Sequence, residues 1–169
     1  LQLLLKTQNM DLPKELLQNV YWAFYQKFET QEEFEAALIK YNDIPSKRLP
    51  PLDRIMLPVQ KVVIQYPWVS LDEEEDEDDD IDWDSLADDD PRWEIDEEDK
   101  QFVIDTINPA GFTLGELMYK INQGACTPMN GSSYDLSDQD HHFFEGLEFL
   151  TDDDPDFPGV PVYYMILGS

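Results

Sequence analysis

Residues 71–100, LDEEEDEDDDIDWDSLADDDPRWEIDEEDK, constrain this chain more than any other stretch, because nineteen of their thirty side chains are acidic. Carboxylates almost never enter a core unpaired, and the nine in succession at 72–80 repel one another. The stretch therefore reads as an insert that leaves a folded body and returns to it. Nineteen acids against Arg92 and Lys100 give it −17 of the chain's formal −27, so the body is acidic too. With 169 residues, 41% of them hydrophobic, the chain has material for one domain with a core. The expectation is a single domain over 1–169, interrupted by the acidic insert 71–100.

Periodicity predicts the elements of that body. Asp11 is placed to cap DLPKELLQNVYWAFYQKF, where Leu12, Leu16, Val20, Ala23 and Phe24 fall at helical spacing. Thr30 and Glu33 have capping-box spacing and open a second helix, QEEFEAALIKY, with Phe34, Leu38 and Tyr41 on one stripe. The two are expected to pair as antiparallel helices. Residues 43–58 hold four prolines and read as a rigid, extended connection. VQKVVIQYPWV at 59–69 reads as a strand ending near Pro67, and DEEDKQFVIDTI after the insert fits a helix or a strand, with the helix favoured. Thr113 and Glu116 repeat the capping spacing for TLGELMYKINQ, whose buried face is Leu114, Leu117, Met118 and Ile121, with Gly124 placed to stop it. HHFFEGLEFL and VPVYYMILGS read as a hairpin around an acidic loop. The fold class expected is α+β: an N-terminal helical pair plus a small antiparallel sheet built from 59–69, 142–150 and 160–167.

Charge then narrows the function classes. A surface this acidic repels phosphate backbones and anionic headgroups, so direct nucleic-acid or membrane-surface binding is disfavoured and a basic protein is the natural partner. LQLLLKTQ is too short to span a bilayer and reads as an apolar helix turn. The single cysteine, Cys126, allows no internal disulfide and fits a reducing, intracellular compartment, cytoplasmic or nuclear. Phosphate-loop, dinucleotide-loop and nucleophile-elbow patterns are all missing, and Cys126 has no neighbouring base in sequence. The one place with metal-ligand chemistry is SDQDHHFFEGLE, which gathers Asp138, Asp140, His141, His142, Glu145 and Glu148. On a strand, however, the two histidines point to opposite faces, and the chain holds no third. A surface strand start in acidic company is the leading reading there. No enzyme activity and no cofactor are expected.

What remains is the apolar content of the insert. Ile81, Trp83, Leu86, Trp93 and Ile95 are threaded between its carboxylates, and a stretch meant only to stay solvated has no use for two tryptophans. Three readings compete. In the first, Trp83 and Trp93 anchor a partner-binding segment, while Asp78, Asp79, Asp80, Asp82, Asp84, Asp88, Asp89 and Asp90 steer a basic protein toward it. In the second, the tryptophans tie a solvated loop to the body. In the third, the carboxylates mimic a nucleic-acid backbone and block a cationic nuclease or DNA-binding site, as an inhibitor or immunity-type protein would. A structural role in a larger assembly is a further class, marked by a large exposed apolar patch. Lys47, Arg48, Arg54 and Lys61 concentrate positive charge where the insert could fold back on itself.

The C-terminal third supplies one resemblance. FTLGELMYKI, then DHHFFEGLEF, then the closing VYYMILGS resemble the end of a group of acidic proteins of giant DNA viruses and microbial eukaryotes, over about residues 112–169. The resemblance implies a helix followed by two strands, with Glu145 and Gly146 at a β-turn or bulge and Phe143, Phe144 and Leu147 in the core. It implies no activity, and it adds the virion to the expected locations.

Overall fold

The computed structural model describes residues 12–45, 48–69, 97–128 and 132–168. Its centre is β4 (Lys61–Val69), whose alternation of β-branched and aromatic residues sends Val62, Ile64, Tyr66 and Trp68 into one core, while Val63 is buried on the opposite face. β5 (Glu97–Asp105) pairs with it antiparallel along all nine residues, from Lys61↔Asp105 to Val69↔Glu97. On its other side β4 runs parallel to β8 (Val162–Gly168) through Val63, Ile64 and Gln65. β8 in turn pairs antiparallel with β7 (Phe143–Thr151). Two short strands, β1 (Glu15–Leu16) and β2 (Trp22–Ala23), complete the sheet by pairing with the far side of β7. The result is a mixed six-stranded sheet, with β3 (Ile55–Leu57) and β6 (Phe112–Thr113) forming a separate antiparallel pair.

The two helices are α1 (Gln31–Tyr41) and α2 (Leu114–Ala125). Each begins as its sequence dictates: the hydroxyls of Thr30 and Thr113 accept from the backbone N–H groups of Glu33 and Glu116. Phe34 and Leu38 of α1, and Leu114, Leu117, Met118 and Ile121 of α2, are fully buried in the core they share with Ile64, Tyr66, Leu147, Tyr163 and Met165. The remaining orphan donors at the start of α2 meet the proline-rich connection, where Leu114 and Gly115 donate to the carbonyls of Arg54 and Leu52.

The expected fold class is thus corrected. The chain does contain helices and strands, but there is no N-terminal helical pair among the described residues, and the sheet is neither small nor antiparallel throughout. Residues 12–28 are extended along the edge of β7 instead of helical. Leu16, Leu17, Val20, Trp22, Ala23 and Phe24 are all buried there, and neighbours such as 16–17 and 22–24 cannot all lie on one stripe of a helix. A two-sided burial suits a strand segment laid between the sheet edge and α1. Where this segment bends, Leu17 takes φ 64 opposite a bulge in β7, at which Gly146 takes φ +123 and its register with β8 shifts between Phe144 and Leu147.

Other corrections have equally local causes. Within DEEDKQFVIDTI it is the strand alternative that forms, as β5 over Glu97–Asp105, because nine pairings with β4 and burial of Ile104 outweigh the helical tendency of its charged half. β4 continues past Pro67 to Val69, since β8 pairs only with Val63–Gln65 and the proline removes no bond from that ladder. Within the connection 43–58 lies β3. Gly124 does not stop α2, which runs on to Ala125; a Cβ there would sit 2.5 Å from the Phe102 ring, so the glycine admits β5 against the helix.

Two outcomes follow from this packing. Gly111, at φ +113, precedes β6 with its Cα so close to β3 that a Cβ would lie 2.3 Å from the Leu57 carbonyl oxygen. Gly111→Ala is expected to lower stability by at least about 1 kcal/mol in urea unfolding, seen as a lower midpoint at unchanged slope. Burial pushes the Tyr66 and Tyr163 phenols and the Cys126 thiol up to about 12, from ordinary values of 10.0 and 9.0. Above pH 9 the unfolded chain holds fewer of these protons than the native one, so stability that is complete below pH 9 falls progressively toward pH 12. A pH series of thermal melts should show that decline, and a flat profile to pH 12 would contradict it.

Candidate partner-binding surface

The residues that the sequence nominates for partner binding, Trp83, Trp93, Asp78, Asp79, Asp80, Asp82, Asp84, Asp88, Asp89 and Asp90, lie outside the described residues. The structure does define the stem from which they depart. Val69 and Glu97 are directly paired, so the chain leaves the sheet and re-enters it on adjacent, antiparallel strands. The last four residues read as insert, 97–100, belong to β5 itself.

The stem is fastened by one side chain. Gln139, buried just after a 3-10 turn at Leu136–Asp138, accepts from the Val69 N–H through Oε1 at 2.9 Å and donates from Nε2 to the Val69 carbonyl at 3.0 Å. The amide thereby satisfies both backbone groups of Val69, as a neighbouring strand would. The Gln139 carbonyl, for its part, lies 2.6 Å from Nδ1 of His142. The His142 ring stacks on Phe143 at 4.8 Å, and Tyr25 meets both rings edge-on, at 5.1 and 6.4 Å. A short series of contacts therefore joins the root of the acidic segment to an aromatic surface on the body.

That surface continues into a groove of about 420 Å³ between β2, the end of α1 and the start of β7. Trp22 forms its floor, with Tyr21, Tyr41 and Phe143 as walls and Gln18 and Glu145 at its edge. Tyr21, Tyr25 and Tyr41 are 49%, 60% and 41% exposed. The floor is rigid for identifiable reasons. The Trp22 indole N–H donates to Oδ1 of Asn122, an amide on α2 that is wholly buried and whose Nδ2 donates to the Gln26 carbonyl. Trp22 also meets Phe34 edge-on at 4.9 Å and Tyr41 at 5.5 Å. Tyr21 is held by Asn42, the C-cap of α1, which accepts from its N–H at 2.9 Å and donates to its carbonyl at 2.8 Å. Glu145 projects from the bulge of β7, and a Cβ on Gly168 would lie 2.4 Å from its Oε2, so its carboxylate rests over the end of β8. Aromatic rings, phenol hydroxyls and one carboxylate thus line the groove.

The sequence missed this groove because it placed YWAFY, residues 21–25, on a helix and Phe143 in the core; Phe144 and Leu147 are core residues as expected. The available signal was density: Tyr21, Trp22, Phe24 and Tyr25 are more aromatic side chains than one helical turn can bury. The histidine and carboxylate cluster at 138–148 resolves differently. Asp138 accepts from the Asp135 N–H in a capping box, His141 is exposed, and His142 is engaged with Gln139 and Phe143. No group of three His, Cys, Asp or Glu side chains able to hold a metal occurs among the described residues. Cys126 is buried, with its thiol pushed up by desolvation and by Asp135 against a lowering effect of Lys27. Of the basic patch, Lys47 lies outside the described residues, and Arg48, Arg54 and Lys61 are exposed. No described helix is long and apolar enough to cross a membrane.

The stem assignment predicts that Gln139→Leu, which keeps the bulk but removes the amide, accelerates hydrogen exchange of the Val69 N–H by at least about tenfold. Unchanged protection of that amide would remove Gln139 from the account. Native Cys126 should resist thiol reagents at pH 8 and react promptly in denaturant. Compared with known proteins, the chain matches no family model, no curated protein and no solved structure.

Proposed function

We propose that this chain is a non-enzymatic interaction module that engages a basic protein through its acidic segment, with Trp83 and Trp93 as apolar anchors. The carboxylates at 78–80, 82, 84 and 88–90 steer the partner in and pair with its lysines and arginines. The tryptophans add contact that salt does not screen.

One observation carries the reading: the segment of densest charge departs from a fixed stem, the Val69↔Glu97 pair fastened by Gln139. Sixteen acids in the 27 residues between 70 and 96 would serve solubility equally well on a free tail. Holding both ends on adjacent strands instead shortens the distance the segment can wander and lowers the entropy lost on binding. Val69, at the root of that segment, is linked through Gln139 and His142 to exposed Tyr25 and the Phe143 ring. Charge and aromatic surface together are the two ingredients of a salt-tolerant interface with a cationic protein.

Core histones are a suitable defined basic probe. Binding is expected for the intact chain, and replacing residues 70–96 by a short Asn-Gly turn, which closes the β4–β5 hairpin, should abolish it. With Trp83 and Trp93 both changed to alanine, capture should persist at low salt and disappear near 1 M, where the screening length is about 3 Å. Equal capture by the turn-closed variant would place the function elsewhere.

A further inference from the structure

We propose that the groove between Trp22, Tyr21, Tyr41, Phe143 and Glu145 receives an arginine side chain of the basic partner. This inference rests on the interaction reading above and adds to it a specific receptor on the folded body.

Three observations point to a cation. The walls are aromatic: the groove is lined by Tyr21, Trp22, Tyr41 and Phe143, and rings present their negative faces to a positive charge. Among the described residues of the lining the one that carries charge is Glu145, a carboxylate, which attracts a cationic guest. The chain as a whole carries −27, which makes an anionic occupant unfavourable from any approach.

Shape and rigidity favour arginine over lysine. A guanidinium is flat, is weakly hydrated, stacks on aromatic faces and can take a carboxylate with two parallel N–H groups, whereas an ammonium is a compact, strongly hydrated point charge. The groove, at about 420 Å³, has room for the whole side chain together with adjoining backbone. Its floor does not have to be organised on binding, because Trp22 is already fixed by Asn122 and Tyr21 by Asn42. Glu145 lines the groove from the β7 bulge; its exposed carboxylate, now over Gly168, would turn to meet the guanidinium while the rings cover its faces.

The test uses the full chain and an arginine-rich peptide, with the same peptide carrying citrulline in place of arginine as a neutral isostere and a lysine-rich peptide as a second control. Affinity is read by calorimetry and location by the NMR signals of the indole N–H groups. The proposal expects the arginine peptide to shift the Trp22 signal, to bind at least about threefold more tightly than the lysine peptide, and to lose roughly three- to tenfold in affinity in Tyr41→Ala and in Glu145→Gln. Tyr41→Phe, which keeps the ring face, should bind as the native chain does, which separates a lost ring from a lost fold. Binding of the citrulline peptide as tightly as the arginine one overturns the cationic occupant. Shifts confined to Trp83 and Trp93, with Tyr41→Ala and Glu145→Gln unaffected, overturn the groove and leave the acidic segment as the binding element. A Trp22 shift that persists when residues 70–96 carry Asn and Gln in place of Asp and Glu, at unchanged affinity, keeps the groove and removes the segment. Absence of binding by any of the peptides overturns both, and a concentration-dependent dimer through this face in sedimentation would replace the arginine with a second copy.

Discussion

Sixteen like charges within 27 residues push outward on whatever holds their ends, and the fold answers that force at one place, the end of the β4–β5 pair. Nine consecutive pairings bind these strands, and β4 is further buried on both faces by Val62, Val63, Ile64, Tyr66 and Trp68. Burial of that much apolar surface, at about 25 cal/mol per Å², is far less sensitive to salt or pH than the repulsion it opposes. Lys100 contributes locally as well: its ammonium lies 5.4 Å from the centroid of the Trp68 ring, a cation over an aromatic face near the root of the charged segment. The strand pair therefore does two jobs, forming the centre of the core and fixing the departure point of the charge.

A second device recurs around the periphery of the core. Among the described residues, three side-chain amides each close both backbone groups of one residue: Asn42 on Tyr21, Gln123 on Phe28, and Gln139 on Val69, the last residue of β4, whose strand partner Glu97 lies on the other side. Each clamp joins residues distant in sequence; those on Tyr21 and Phe28 give an irregular segment the definition of a strand without its length, and that on Val69 covers the open side of the end of β4. Asn122 adds the buried bond to the Trp22 indole. Through these amides the segment 21–28, which the helix pattern misassigns, becomes the rigid aromatic surface beside the stem. Local structure, packing and the proposed binding surface thus depend on the same few residues.

How much of this was legible in the sequence depended on whether the signal was local. The starts of α1 and α2 were readable, because Thr30 and Thr113 act on donors three residues away. So were the central strand β4 and the hairpin of β7 and β8, whose β-branched and aromatic runs admit few alternatives. The segment 12–28 misled because Leu12, Leu16, Val20 and Phe24 do fall at helical spacing, while its real partner, the free edge of β7, lies about 120 residues away. β5 misled for the same reason, its character being set by β4 across the acidic segment. The parallel pairing of β4 with β8 follows from the path of the chain over the core, which no local pattern records. Of the candidate site, the charge and the two tryptophans were visible in composition, whereas the groove needed Trp22, Tyr41 and Phe143 brought together from three elements.

In the proposed complex, the acidic segment and the aromatic surface of the body form one interface for a basic protein. Hydrogen exchange of the full chain, free and with a basic protein bound, reads out that interface, since the backbone reports every region at once. The account predicts slowed exchange on binding in two sets of peptides together, those covering 70–96 and those covering 20–25 and 141–146. Protection confined to the opposite face of the sheet, around exposed Val103 and Leu150, with both of those sets unchanged, would contradict it.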